Sequence, residues 1–216
     1  MKRKAYILFL LAAIVPLSCA KDVFPDENPR DAEVVVTVKQ DTDGTVYFQL
    51  NDDERLYPLN GYEFTRQERI LASLTVFAEE VPLYGHTVLV NWAEPLEQGT
   101  VYSEDINISG YDDSIDVLPD WVTSVEDGYL TVHYSTWWGD PSGHHDIILV
   151  TGPGPDELTL LHSSQGDDKE NYSDGIIYFD INKYIEPTDT YKPIKLHWTG
   201  TNGSESTRIF EFKTRK

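Results

Sequence analysis

Trp121-Val122-Thr123-Ser124-Val125-Glu126-Asp127-Gly128-Tyr129-Leu130-Thr131-Val132-His133-Tyr134-Ser135 decides how this chain is read. Two runs rich in β-branched and aromatic residues flank Glu126-Asp127-Gly128, a strong hairpin signal. Hydrophobic residues recur every second position, so the stretch is extended rather than helical.

The same period spreads outward in both directions. Downstream, residues 144–150, 157–162, 175–181, 193–199 and 207–213 read as further strands. In the run 193–199, Ile194, Leu196 and Trp198 alternate with Lys195 and His197, as expected for a sheet with one buried face. Turn signals separate the strands: Gly152-Pro153-Gly154-Pro155, Gln165-Gly166-Asp167-Asp168 and Thr201-Asn202-Gly203. Many short strands at this spacing predict an antiparallel β-sandwich over residues 110–216. Upstream, Val34, Val36 and Val38 share a face, and Val46, Phe48 and Leu50 follow through an Asp43-Gly44 turn. Residues 69–77 and 86–92 continue the pattern, with Val88, Val90 and Trp92 inward. A last strand near 100–108 would close a small five-stranded OB-like barrel over residues 33–109. The expected fold is thus all-β, barrel then sandwich.

The amino terminus has a different character. Lys2, Arg3 and Lys4 precede an apolar run over residues 5–17, then Ser18 and the single cysteine, Cys19. This has the form of a bacterial signal peptide, residues 1–18, cleaved before a lipid-bearing Cys19. Pro16 stands where such signals usually carry Leu. The run is too short to span a bilayer without a polar break. Residues 19–32 hold charge and proline but little to bury, and read as a tether. The expected location is the outer membrane, facing the periplasm or displayed at the surface, with the membrane a partner through lipid on Cys19. One cysteine allows no intramolecular disulfide, so the core alone stabilises the fold.

Several segments resemble the NigD-like lipoprotein family. They are Tyr47-Phe48-Gln49-Leu50-Asn51-Asp52-Asp53-Glu54-Arg55-Leu56-Tyr57-Pro58, Gln67-Glu68-Arg69-Ile70, Asp127-Gly128-Tyr129-Leu130-Thr131-Val132, Leu160-Leu161-His162 and Gly175-Ile176-Ile177-Tyr178-Phe179-Asp180. The resemblance implies an OB-like domain followed by a β-sandwich, lipid on Cys19 and a proposed role in bacteriocin immunity. It implies no catalytic residues.

Charge narrows the function. The chain carries 17 Lys and Arg against 37 Asp and Glu, a net charge of −20. Loss of residues 1–18 leaves 14 basic against 37 acidic residues, a net charge of −23. Between Val34 and Asp105, thirteen acids face four basic residues, so the barrel would repel phosphate and nucleic acid is no partner. No Gly-x-Ser-x-Gly, His-Glu-x-x-His or P-loop pattern occurs, and no cofactor is implied.

Two constellations remain. Tyr134, Trp137 and Trp138 lie near a Gly-Asp-Pro-Ser-Gly loop. Adjacent tryptophans on a strand point to opposite sides, so one ring is displayed for a sugar or a protein unless the loop folds back over both. If Leu130 pairs with Leu149, then His133, His144 and Asp146 gather on one face as a weak metal candidate. A one-residue slip removes it. Asp113-Ser114-Ile115 resembles an O-glycosylation sequon at Ser114. The function expected is that of a non-enzymatic interaction or protective lipoprotein, with glycan binding through the aromatics as the alternative and a metal-dependent hydrolase third.

Overall fold

The computed structural model describes residues 29–81, 85–103, 106–140, 143–152 and 154–215. The signal peptide, Cys19 and nearly all of the tether lie outside the described residues. Among the described residues there is no helix.

The barrel is built from β1 (Arg30–Gln40), β2 (Val46–Gln49), β3 (Arg55–Pro58), β4 (Glu68–Val81) and β5 (Gly85–Pro95), closed in the order β1-β2-β3-β5-β4. Val36, Val38, Phe48, Leu56, Ile70, Leu74 and Val88 fill it. The predicted barrel holds, but its strand list needs correction: the remaining strand is β3, not one near 100–108. Trp92 is also corrected. A β-bulge makes Ser73 face Trp92 while Leu74 faces Val90. The extra residue, Asn91, flips the phase, so Ala93 packs inward and Trp92 lies 40% exposed.

The remaining strands are β6 (Glu97–Gln98), β7 (Thr100–Tyr102), β8 (Asp116–Val117), β9 (Ser124–Glu126), β10 (Tyr129–Trp138), β11 (Asp146–Thr151), β12 (Glu157–Ser163), β13 (Asn171–Asp180), β14 (Lys192–Thr199) and β15 (Glu205–Phe212). They form two sheets. One runs β6-β13-β10-β8 with β9 also on β10; the other runs β15-β14-β12-β11-β7. Leu130, Val132, Leu149, Leu158, Leu160, Phe179 and Leu196 interdigitate between them. The Asp127-Gly128 turn has φ of 51° and 73°, the positive pair a two-residue hairpin requires. The sandwich is not purely antiparallel: β7 pairs parallel to β11, β6 to β13 and β12 to β14.

Both faces of β1 are buried. Val36 and Val38 face the barrel, while Val35 and Thr37 on the other face are also covered. The second burial is explained by the β9–β10 hairpin docking on the barrel. Lys39 Nζ lies 2.6 Å from Asp127 Oδ1, Gln67 donates to Tyr129 Oη at 2.8 Å, and the Asp127 amide donates to Asp52 Oδ1 at 3.0 Å. Arg69 is fully buried at this junction, its guanidinium 3.7 Å from Glu126.

Candidate functional site

The outer face of the β8–β10–β13 sheet is set by register. Trp137 pairs with Tyr172, Ser135 with Asp174 and with Asp116, and His133 with Ile176. Directly paired residues share a face, so Trp137, Tyr172, Asp174, Asp116 and His133 look out together. Trp137 is 39% exposed and Tyr172 47%. Their ring centroids lie 5.3 Å apart with planes tilted by 59°.

Asp116 and an Asp120–His133–Asp174 cluster share the face. Asp116 accepts hydrogen bonds from Tyr172 Oη at 2.6 Å and from the amide and hydroxyl of Thr201. Burial would raise its pKa, but these bonds outweigh it and hold the carboxyl below the ordinary value. His133 sits between Asp120, 2.5 Å from Nδ1, and Asp174, 3.0 Å from Nε2. Carboxylates on both ring nitrogens call for two donors, an imidazolium. Burial pulls the His133 pKa down, yet Asp174 and Asp120 outweigh it and the value rises.

Behind this face, Trp138 turns inward and stacks on His145, with centroids 3.8 Å apart and planes at 13°. His145 continues a buried chain. His162 Nδ1 lies 3.2 Å from the Ser114 carbonyl, His162 Nε2 lies 2.9 Å from His145 Nδ1, and His145 Nε2 lies 3.2 Å from Asp167 Oδ2. Acceptors at both ends mean that three links need three N–H hydrogens on two rings. With every link made, the pair carries one positive charge against Asp167. Burial pushes His162 below the ordinary imidazole pKa. Asp167 also accepts the amides of Gly139, Asp140 and Asp168, and its pKa falls to about 2. The network ties the chain ends beyond β10 and β12 together and fixes which tryptophan points out.

The sequence-predicted residues are therefore divided. Of the aromatic three, Trp137 is presented, Trp138 packs against the core, and Tyr134 is buried at 6% exposure. The metal cluster does not form, because β10 and β11 belong to opposite sheets. Val132 pairs with Ile177 and Leu130 with Phe179, while Asp146 pairs with Ser163 on β12. His133 is held by Asp120 and Asp174, Asp146 takes the Tyr111 hydroxyl at 2.5 Å, and His144 is exposed. Among the described residues no group of three or more His, Cys, Asp or Glu is arranged to hold a metal. Ser114 is half-buried, its carbonyl accepting from Thr136 and His162. Sequence reasoning missed Tyr172, although Tyr172, Asp174 and Ile176 extend the alternation of the strand read as starting at 175. It also missed a polar cleft of about 300 Å³ at the junction, lined by Lys39, Arg55, Asp127, Lys213 and Arg215 among others. The four cations there each face a carboxylate of this chain.

Residues 100–212 match the family model of the NigD-like C-terminal beta sandwich domain. The match begins at β7, the first strand of the β11 sheet in chain order. Three solved structures are similar in fold. A "Putative TOXIN related protein" from Parabacteroides distasonis is 19% identical with a TM-score of 0.71, covering 86% of this chain and 94% of that one. A "NigD-like immunity protein" from Bacteroides caccae is 16% identical with a TM-score of 0.58, covering 84% and 97%. A "Putative lipoprotein" from Bacteroides fragilis is 14% identical with a TM-score of 0.60, covering 87% and 100%. A comparison with curated proteins found no match.

Proposed function

Because the chain belongs to the NigD-like family, we propose that it is a lipid-anchored, non-enzymatic interaction protein of the bacterial envelope with a protective, immunity-like role. The observation that carries this reading is the Trp137–Tyr172 pair, two large aromatics presented side by side on a sheet face that also holds Asp116 and the Asp120–His133–Asp174 cluster. Large exposed aromatics on a rigid sheet suit recognition, since they supply contact area at low entropic cost. His133, His145 and His162 are meanwhile committed to carboxylates, a carbonyl or one another.

The anchor is supported by the order of Lys2, Arg3, Lys4, the apolar run and Cys19. The name of one fold neighbour, a "Putative lipoprotein" from Bacteroides fragilis, agrees with it. Acyl chains on Cys19 would hold the body at a membrane surface, since each buried CH2 contributes about 0.8 kcal/mol and more than one chain makes the attachment stable.

Chemical crosslinking in the native envelope, followed by mass spectrometry, tests the reading. A recurring protein partner is expected, and its recovery should fall in Cys19→Ala. Repeated failure to enrich any partner would contradict it.

A further inference from the structure

We propose that the Trp137–Tyr172 face docks a Lys- or Arg-bearing segment of a partner protein, the cationic head group packing against the exposed ring faces. The proposal rests on the interaction reading above and names the partner's chemistry. Three observations carry it. First, the rings sit beside Asp116, which accepts the Tyr172 hydroxyl, and beside the Asp120–His133–Asp174 cluster, whose two carboxylates outweigh the single imidazolium. The hydrogen bond that Tyr172 donates to this carboxylate adds electron density to its ring, favouring a cation over its face.

Second, the chain's net charge of −20 draws cations towards the protein and repels anionic lipid and nucleic acid. Third, exposed aromatic faces take a guanidinium or ammonium group well. This molecule already uses that pairing: Arg55 lies over Tyr47 and Arg215 over Tyr129, each 4.3 Å from the ring centroid. The face is also preorganised, because Trp138 on the opposite side of β10 is pinned against His145.

Fluorescently labelled hexaarginine, titrated into the full-length protein in a non-ionic detergent, tests the proposal by anisotropy. Cellohexaose serves as the neutral glycan probe. Binding of hexaarginine is expected to weaken with added salt. It should fall at least tenfold in Trp137→Ala and in Tyr172→Ser, and stay within twofold of wild type in Trp92→Ala, which removes an exposed tryptophan on β5 of the barrel. Tyr172→Phe keeps the ring but loses its bond to Asp116, so it should bind more weakly than wild type and more tightly than Tyr172→Ser; unfolding of Trp137→Ala at the wild-type temperature would exclude misfolding as the cause of its loss. Equal binding by wild type and both ring variants would mean diffuse charge attraction only and overturn the proposal. So would no binding at low salt, or Trp137-dependent binding of cellohexaose in place of hexaarginine. If hexaarginine fails while envelope crosslinking still recovers a partner, this surface assignment falls and the interaction reading stands.

Discussion

Trp138 and His145 stack nearly face to face inside the end of the sandwich, 3.8 Å between centroids. One residue earlier, Trp137 points the other way, and the two tryptophans answer to different forces. Trp138→Ala should empty a site beside the core and cost about 2–4 kcal/mol, somewhat below the figure for a fully enclosed aromatic. Trp137→Ala should cost less than about 1 kcal/mol, because its ring is at the surface. Denaturant unfolding of the two variants checks the contrast, and equal losses would refute the in-and-out assignment.

The His133 clamp predicts a pH dependence. Its folded pKa lies above the unfolded value of about 6.5. The stability it confers is therefore complete below about pH 6.5 and is lost as pH rises through the folded value. Asp120→Asn should lower stability at pH 6 more than at pH 9, and melting curves at the two values decide it. A uniform loss would show that the imidazolium contributes nothing.

Arg69 is a cation with no exposure, facing Glu126 across the barrel–sandwich junction at 3.7 Å. Burial pushes the arginine's pKa down and the glutamate's up, so each depends on its partner. Glu126→Gln should cost about 1–3 kcal/mol, discounted because the glutamate side chain is a third exposed. Arg69→Met combined with Glu126→Leu should recover most of that loss, since an apolar pair needs no desolvation of charge. A double variant worse than the single one would contradict this account.

Gly99 lies between β6 and β7, and a Cβ there would fall 2.2 Å from Cε1 of Phe179, a fully buried ring. Gly99→Ala should destabilise by about 1–3 kcal/mol through overpacking. Unfolding within error of wild type would mean that Phe179 moves aside freely.

Strand existence was legible from period-two hydrophobicity, and the Asp127-Gly128 hairpin was legible from its turn chemistry. Pairing was harder. Residues 130–134 and 147–149 alternate identically whether β10 and β11 form a hairpin or lie in opposite sheets, so the sequence did not distinguish a turn from an arch. That ambiguity placed His133, His144 and Asp146 together on paper. β3 is four residues long and carries almost no periodic signal. The single extra residue at Asn91 was enough to turn Trp92 outward. That one of Trp137 and Trp138 faces outward was legible because neighbours on a strand diverge; which of the two it is came from the β10–β13 register. Tyr172 became visible as its partner only once the β10–β13 register was known.

Site-specific photocrosslinking from position 172 in intact cells tests the central claim most directly. A photoreactive phenylalanine analogue replaces Tyr172, and a matched control replaces the exposed Trp92 on the barrel. We predict one dominant protein adduct from position 172, carrying a Lys- or Arg-rich segment at the link, diminished by Trp137→Ala and absent from position 92. No adduct from position 172, or the same adducts from both positions, would contradict it.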